Sequence, residues 1–146
     1  TTNTYNRKWI YNKFLDKKSC FKKDGIAILV DISDFEYIKK EYGELISNNL
    51  ILFATKFIQK NLKEEKIDFD MARFFDNKIL IFCENQDFKE LSQIIFNLQK
   101  MLESTTLKNN SGLMIKTSYK FAVNSYIKDQ DSKELFEKLF EKLKEL

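Results

Sequence analysis

Polar residues follow the ends of several apolar segments, and their side chains could hold a metal ion or a phosphate group. Asp31 follows the apolar run 26–30, and the segment Asp-Asn-Lys at 76–78 separates two further runs, with Arg73 shortly before it. The sequence contains no histidine, which excludes His-based zinc sites, Ser-His-Asp triads and imidazole general bases. Any chemistry must therefore depend on carboxylates, lysines and a hard cation such as Mg²⁺, which prefers oxygen ligands.

The size and composition of the chain are typical of one ordinary globular domain. It has 146 residues, of which 43% are hydrophobic and 32% are charged, enough to bury a core and too apolar for a disordered segment. No apolar run approaches the roughly 18 residues of a transmembrane helix, and the polar start shows no signal peptide. We therefore expect a cytoplasmic location and no membrane contact by this segment.

The charge of the chain excludes a further class of function, and its cysteines indicate a structural role. The net charge is only +3, and lysine and glutamate are mixed along the chain rather than segregated, whereas nucleic-acid-binding domains carry a one-sided basic patch. We expect no nucleic-acid partner. Cys20 and Cys83 are isolated, and Cys83 lies in an apolar run, which predicts a buried small hydrophobic residue.

The spacing of apolar residues predicts helices and strands in the order α-β-α-α-β-β-α-β-α. Strands are expected near 26–31, 67–74, 78–83 and 113–123. The second and third are separated by so short a turn that they should form a tight hairpin. The first helix is expected from 6 to 18. The next starts with the capping-box pattern Ser33 to Glu36 and ends at Gly43. This order predicts an α+β fold with a mixed, mostly antiparallel sheet flanked by helices.

Four segments resemble the GGDEF domain, the diguanylate cyclase module of bacteria. TNTYNRK at 2–8 looks like "LTGLYNRR", and LVDISDF at 29–35 is similar to "LLDIDHF". YGE at 42–44 falls where the family has "YGH", and ARF at 72–74 opens the hairpin as "ARYGGDEF" does. The resemblance implies a nucleotidyl-cyclase fold over 1–146 as one GGDEF-like domain. Because the sequence does not begin with Met, we expect it to come from a longer signalling protein.

The resemblance also implies which residues matter. In the family, two domains meet as a dimer, each holds one GTP, and carboxylates hold the Mg²⁺ that neutralises the transferring phosphoryl group. Asp31 and the backbone at Ile32 match the metal position. The nucleotide-binding positions correspond to six residues: Lys39, Asn48, Arg73, Asp76, Asn77 and Lys78. No cofactor is expected, except Mg²⁺ if a nucleotide binds.

The hairpin signature departs from the family pattern. It reads Phe75-Asp76-Asn77-Lys78-Ile79, so both tip glycines, which let the backbone approach the nucleotide, are replaced. Asn77 stands where the family has an acid, and Lys78 replaces a glutamate. An ammonium group beside a metal site opposes the metal by like-charge repulsion.

The base- and phosphate-binding positions depart as well. Lys39 replaces an asparagine and Asn48 an aspartate, which removes amide and charge-assisted contacts to guanine. Glu36 takes a position that is usually lysine. Simpler roles are open for the matching residues: Asp31 could cap a turn, Arg73 could form a surface ion pair, and residues 76–77 suit a hairpin turn.

These departures favour a catalytically inactive, degenerate GGDEF-like domain that acts by protein association in cyclic di-GMP signalling. The expected partners are a second copy or another GGDEF or EAL domain, with an upstream sensor in the full-length chain. Two alternatives stay open: a regulatory domain that binds GTP or a related nucleotide at a weakened site, and a cyclase with unorthodox ligands.

Overall fold

The computed structural model of the chain describes residues 4–75, 77–108 and 112–146, with side chains from Asn6 onward. The helices are α1 (Arg7–Phe14), α2 (Phe35–Tyr42), α3 (Glu44–Glu64), α4 (Phe88–Glu103) and α5 (Ser132–Glu145). The strands are β1 (Thr4–Tyr5), β2 (Gly25–Ile32), β3 (Phe69–Phe75), β4 (Lys78–Cys83), β5 (Leu107–Lys108), β6 (Met114–Ile115) and β7 (Tyr119–Tyr126).

Five strands form the central sheet in the order β1-β3-β4-β2-β7. Only the pairing of β1 with β3 is parallel, and the other three pairings are antiparallel. The sheet is therefore mixed and mostly antiparallel, as predicted. Strands β3 and β4 pair as the expected hairpin, with a register shift between Arg73 and Phe75 near its tip. β5 and β6 form a separate two-stranded sheet.

The sheet is covered by helices on both faces, because side chains alternate along the buried strand β2. Ile26, Ile28 and Val30 belong to a core cluster with α2, α3 and α4. Ala27 and Leu29 belong to a second cluster with α1 and α5. This two-sided burial explains why β2 reads as a continuous apolar run, and it fixes the position of Asp31 at the end of that strand.

The structure differs from the sequence prediction in three local features. α1 ends at Phe14 rather than near 18, where an antiparallel bridge between Leu15 and Phe21 begins. The predicted capping box is wrong: Asp34 is the N-cap residue of α2, in the left-handed conformation with φ 60°, and its side chain makes no capping hydrogen bond.

The third difference is that the expected strand 113–123 is interrupted at 116–118, and the edge strand of the sheet begins at Tyr119. The interruption has a physical cause, because Thr117 Oγ1 donates to the Ser33 carbonyl at 2.6 Å. The Ser33 amide also donates to the Ser118 carbonyl, at 3.0 Å. This segment is therefore attached to the connection between β2 and α2.

None of the helices in the described part of the chain combines the length and apolar character needed to span a bilayer.

Candidate functional site

The hairpin tip meets the end of β2 through a carboxylate, an amide and an ammonium group. Asn77 Nδ2 donates to Asp31 Oδ1 at 2.6 Å. Lys78 Nζ lies 3.7 Å from the same carboxylate oxygen and donates to Asn77 Oδ1 at 3.3 Å. The side chains of Asp31 and Lys78 are only 22% and 19% exposed. The three side chains therefore form a closed, largely buried triangle that we call the Asp31–Asn77–Lys78 triad.

Strand register explains why the triad forms and bears on whether it suits a metal. Asp31 is directly opposite Lys78 on β4 and opposite Lys120 on β7, so lysines flank the carboxylate on both neighbouring strands. The amide of the fully buried Ile32 donates to the Asn77 carbonyl at 3.0 Å, which ties β2 to the hairpin tip. The ammonium group of Lys78, 3.7 Å from this carboxylate, opposes a divalent cation there, so the triad as it stands does not fit Mg²⁺. Within the described ranges, no three acidic or cysteine side chains gather into a possible metal site.

An open cleft of about 660 Å³ lies beside the triad. Its walls come from the start of α1, from α2, from the end of β3 and from Asn77 just before β4. The lining residues are Asn6, Arg7, Glu36, Arg73, Phe74, Phe75 and Asn77. Among the described residues, two guanidinium groups and one carboxylate line this space, a net positive balance of charge that suits an anion.

Arg7 and Phe75 form one wall of the cleft. The Arg7 guanidinium lies 5.4 Å from the Phe74 ring centroid and 5.2 Å from that of Phe75, within the range of cation–π attraction. Phe75 is half-exposed and also contacts Phe140 of α5 at a ring separation of 6.5 Å. Burial raises the pKa of the nearby Tyr11 hydroxyl, and the charge of Arg7 and its hydrogen bond to Tyr11 partly offset that effect.

A smaller pocket of about 190 Å³ lies between α2 and α3. Its lining residues are Phe35, Lys39, Glu44, Ser47, Asn48 and Arg73. Lys39 Nζ lies 4.0 Å from Glu44 Oε1, so the pocket contains a cationic donor beside an anionic acceptor. Since Arg73 lines both spaces, the pocket and the cleft are neighbouring parts of one site.

The structure brings most of the predicted residues into this site. Lys39, Asn48 and Arg73 line the small pocket, and Arg73 and Asn77 line the cleft. Asp31, Asn77 and Lys78 form the triad, with the backbone of Ile32 against it. Asp76 lies outside the described residues. Which of these residues bind a ligand stays a prediction.

Two charged residues of the site were not singled out from the sequence. Arg7 belongs to the segment 2–8 that resembles the family's entry motif, and it is one of two arginines in a chain rich in lysine. Glu44 is the last residue of the Tyr-Gly-Glu motif, and its carboxylate lies 4.0 Å from the ammonium group of Lys39. The rarity of arginine in the sequence could have marked Arg7 as a candidate site residue. The position of Glu44 beside Lys39 depends on how α3 begins after Gly43, which the sequence does not reveal.

The sequence model of the family described as "Diguanylate cyclase, GGDEF domain" matches residues 1–145. The chain belongs to the GGDEF family. No curated protein shows significant sequence similarity to it. The predicted resemblance is thus confirmed, and it places this GGDEF domain in the family of cyclic di-GMP signalling.

Solved GGDEF structures share its fold at low sequence identity. The diguanylate cyclase SiaD of Pseudomonas aeruginosa, in complex with its activator SiaC, matches with a TM-score of 0.80 and 8% identity. The match covers 96% of this chain and 54% of SiaD, so the chain spans about half of that protein. The FimX GGDEF domain from the same organism gives a TM-score of 0.76 at 13% identity, covering 97% of this chain and 88% of FimX.

The GGDEF domain of DgcB from Caulobacter crescentus, in complex with cyclic di-GMP, is a third relative by structure. It matches with a TM-score of 0.80 at 12% identity, and the match covers 98% of this chain and 82% of that one. Identities this low establish the fold alone. The predicted nucleotidyl-cyclase-like α+β fold is confirmed by these matches.

Proposed function

We propose that this domain is a catalytically inactive GGDEF domain that acts by protein association in cyclic di-GMP signalling. The observation that carries the proposal is the Asp31–Asn77–Lys78 triad. Asp31 is the carboxylate that matches the family's first metal ligand, and here its Oδ1 has an amide donor at 2.6 Å and an ammonium group at 3.7 Å. The ammonium group of Lys78 supplies the positive charge that a metal ion supplies in an active cyclase.

The hairpin tip supports the same proposal on steric grounds. Phe75 stands where the family has a glycine that lets the backbone approach the nucleotide. Its ring contacts Phe74 at 4.7 Å between centroids and Phe140 at 6.5 Å, with Arg7 above it. An aromatic side chain packed in this way fills space at the tip that a reacting triphosphate would need.

The proposed partners are proteins with a related domain. The solved complex of SiaD with its activator SiaC shows that a GGDEF cyclase can be bound by another protein. For this chain we favour a second copy or another GGDEF or EAL domain, with residues 1–146 acting as one cytoplasmic domain downstream of a sensor. An association role needs the fold and its surface and does not need an intact metal site.

The direct test is an assay for cyclic di-GMP made from GTP with Mg²⁺ or Mn²⁺, with chromatographic detection and an active GGDEF cyclase as the positive control. We expect no product, because the ammonium group of Lys78 lies 3.7 Å from the carboxylate that matches the family's first metal ligand and opposes a cation there. Product above the level of a no-protein control would contradict the proposal.

A rebuilt variant makes the assay more informative. Changing residues 75–79 to Gly-Gly-Asp-Glu-Phe restores the family signature and removes Lys78 from Asp31. We expect this change alone to leave the domain inactive, since Glu36, Lys39 and Asn48 still depart from the family pattern. Activity in the rebuilt variant would show that the tip alone accounts for the loss.

Association is tested by adding the domain to an active GGDEF cyclase and measuring cyclic di-GMP output. We expect a change in the partner's rate that depends on domain concentration. Lys138, which is paired with Glu134 on the surface of α5, offers a control substitution, Lys138→Gln, that leaves the triad and cleft unchanged. No effect on any GGDEF or EAL partner, together with a monomeric domain, would leave the association role without support.

A further inference from the structure

The cleft beside the triad combines exposed aromatic surface with cationic hydrogen-bond donors. Phe75 is 48% exposed, and its ring lies beside that of Phe74 at 4.7 Å between centroids. The Arg7 guanidinium lies within 5.4 Å of both ring centroids, and Arg73 lines the same space. Aromatic residues and arginine are the types enriched in the energetically important parts of protein–protein interfaces. The composition of the cleft is therefore that of a protein-binding surface.

The arginines supply a geometry that lysine lacks. Arg7 and Arg73 are the only arginines among 25 basic residues in the sequence, and both line the cleft. A guanidinium group carries five N–H donors and can give two parallel hydrogen bonds to one oxyanion. Donors therefore remain for a ligand even where one contact is made within the chain, as between Arg7 and the Tyr11 hydroxyl.

The balance of charge favours one carboxylate over a phosphate group. Among the described lining residues, Arg7 and Arg73 contribute two positive charges and Glu36 one negative charge, while the ammonium group of Lys78 is paired with Asp31. A carboxylate carries a single negative charge, which this lining can neutralise. A phosphate monoester carries about −1.5 to −2 at neutral pH and would leave negative charge uncompensated near Glu36.

The exposed rings favour an apolar group beside that carboxylate. The aromatic surface continues out of the cleft, because Phe75 also contacts Phe140 of α5 at 6.5 Å between ring centroids. Aromatic rings in contact attract each other in stacked or edge-to-face arrangements. The cleft volume of about 660 Å³ lies in the range of pockets that enclose a ligand of drug size, which is comparable with a short piece of polypeptide. An aromatic side chain next to the carboxylate would thus pack over Phe75.

The same charges disfavour a second copy of the chain at this surface. In a symmetric dimer each face meets its own copy, so two clefts of net positive charge would face each other and repel. A negatively charged segment of a different protein complements the cleft instead.

We infer that the cleft binds a segment of a different protein in which an acidic residue is adjacent to an aromatic one. The carboxylate lies between Arg7 and Arg73, and the aromatic ring lies on Phe75. This inference rests on the proposed function, because it gives the chemistry by which the domain recognises its partner. It also gives a use to the ring of Phe75, which occupies space that a triphosphate would need.

Two-dimensional NMR tests the inference, because the chain has only two arginines and therefore only two arginine Nε–H signals to follow. The probe is the capped dipeptide acetyl-Asp-Phe-amide, and we expect it to shift both signals saturably. Acetyl-Asn-Phe-amide lacks the charge and should bind about tenfold more weakly. Acetyl-Asp-Ala-amide lacks the ring and should bind about fivefold more weakly. Inorganic phosphate and GMP are titrated separately, and both should bind more weakly than the acidic dipeptide.

Variants of the domain separate the two contacts. Arg7→Lys keeps the charge and loses the fork, so it should weaken binding of acetyl-Asp-Phe-amide by about fivefold. Arg73→Lys gives the same test if that variant does not fold. Phe75→Ala should bring the affinities of the Asp-Phe and Asp-Ala probes to within about twofold of each other, because the ring then has no partner. Lys60 is exposed on α3 and does not line the cleft, so the control Lys60→Gln should change affinity by less than about twofold.

Several outcomes would overturn the inference. These are no shift of the arginine signals with acetyl-Asp-Phe-amide, equal affinity for its Asn counterpart, tighter binding of phosphate or GMP, or an arginine variant that binds as well as Lys60→Gln. Shifts of both arginine signals when the domain alone is concentrated would place a second copy in the cleft and would also overturn it. The proposed function fails separately, by formation of cyclic di-GMP. A domain that makes no product and does not bind the acidic dipeptide would contradict only the present inference.

Discussion

The character of the site at the end of β2 depends on single side chains. The carboxylate of Asp31 is of the type that Mg²⁺ binds, yet Asn77 and Lys78 contact it at 2.6 and 3.7 Å. An ammonium group and a divalent cation cannot share one carboxylate without strong repulsion. Lys78 therefore acts as a built-in counter-ion, and the metal preference of the site should follow the identity of residue 78.

Replacing Lys78 with glutamate should make the stability of the domain depend on metal. In Lys78→Glu two carboxylates lie directly opposite each other on β2 and β4, which destabilises by up to about 1 kcal/mol and lowers the melting temperature by about 2–4 °C. Millimolar Mg²⁺ should recover that loss by binding the native state, whereas the unmodified protein should not respond.

Melting curves in EDTA and in Mg²⁺ measure this effect. Lys60→Glu makes the same charge change on an exposed part of α3 and serves as the control. If both variants respond equally to Mg²⁺, the response is not due to Asp31, and the view of Lys78 as a counter-ion is wrong.

Sequence reasoning reached part of this site and missed the rest for a physical reason. Asp31, Asn77 and Lys78 could be predicted to meet, because a hairpin beside β2 brings its tip to the end of that strand. The contacts of Arg7 and Phe75 could not be predicted, since they depend on how α1 and α5 pack on the sheet. Local patterns locate residues along an element, and packing between elements decides what they contact.

At the scale of elements, the edge strand β7 is protected by side chains from two helices. Gln99 Nε2 of α4 donates to the Tyr119 carbonyl at 2.7 Å, and Glu103 accepts from the Tyr119 amide at 3.0 Å. Lys142 of α5 donates to the Val123 carbonyl at 2.5 Å. An exposed edge strand is a template for unwanted pairing, and these contacts cover part of that edge.

The position at which β7 begins shows why the alternation of apolar residues alone did not predict the bounds of this strand. Apolar residues alternate from 113 through 123, which is the pattern of one long strand. The hydrogen bonds of Thr117 and Ser118 with Ser33 interrupt it. Those partners lie more than 80 residues away in sequence, so no local pattern could reveal them.

Gly25, at the start of β2, should tolerate no side chain. A Cβ there would overlap the Tyr126 ring and approach the Cys83 carbonyl at 2.9 Å. Gly25→Ala should therefore destabilise by about 1–3 kcal/mol, as overpacking of a core does. Truncating the obstacle with Tyr126→Leu should relieve part of this loss, which gives a coupling of about 1 kcal/mol in a double-mutant cycle.

Gly43 provides the control for that cycle. Its backbone has φ 93° and ψ 171°, a region that glycine alone adopts readily, and a Cβ there would contact nothing within 4 Å. Gly43→Ala should thus destabilise through backbone strain and combine additively with Tyr126→Leu. Urea unfolding of the single and double variants measures both cycles, and equal coupling in the two would refute the steric explanation.

At the scale of the whole molecule, acidic groups are buried on both faces of the sheet. Cys83 and Tyr119 belong to the core on the side of α3 and α4, and Tyr126 belongs to the core beside α1 and α5. Burial raises the pKa of Cys83 and of Tyr119 to about 12, and it raises that of Tyr126 as well. The Tyr126 hydroxyl has no hydrogen-bond partner among the residues that the structure describes.

These groups should make the fold sensitive to alkali. The ordinary pKa values are 9.0 for cysteine and 10.0 for tyrosine, so above about pH 9 the unfolded chain releases protons that the native protein retains. The native state then binds more protons than the unfolded state, and the free energy of unfolding falls as pH rises toward 12. Each affected group contributes up to about 1.4 kcal/mol per pH unit across that window.

Urea unfolding at about pH 8 and about pH 10.5 tests this dependence through the difference between the two free energies. Tyr126→Phe removes one buried acid and should make the alkaline loss smaller, whatever its effect on stability at pH 8. Tyr37→Phe changes a tyrosine that is 60% exposed and should leave the loss as it is in the unmodified protein. If both variants lose the same free energy between the two pH values, then burial of Tyr126 is not a source of the alkaline sensitivity. The comparison works because the two variants remove the same hydroxyl group and differ in whether folding withdraws that group from water.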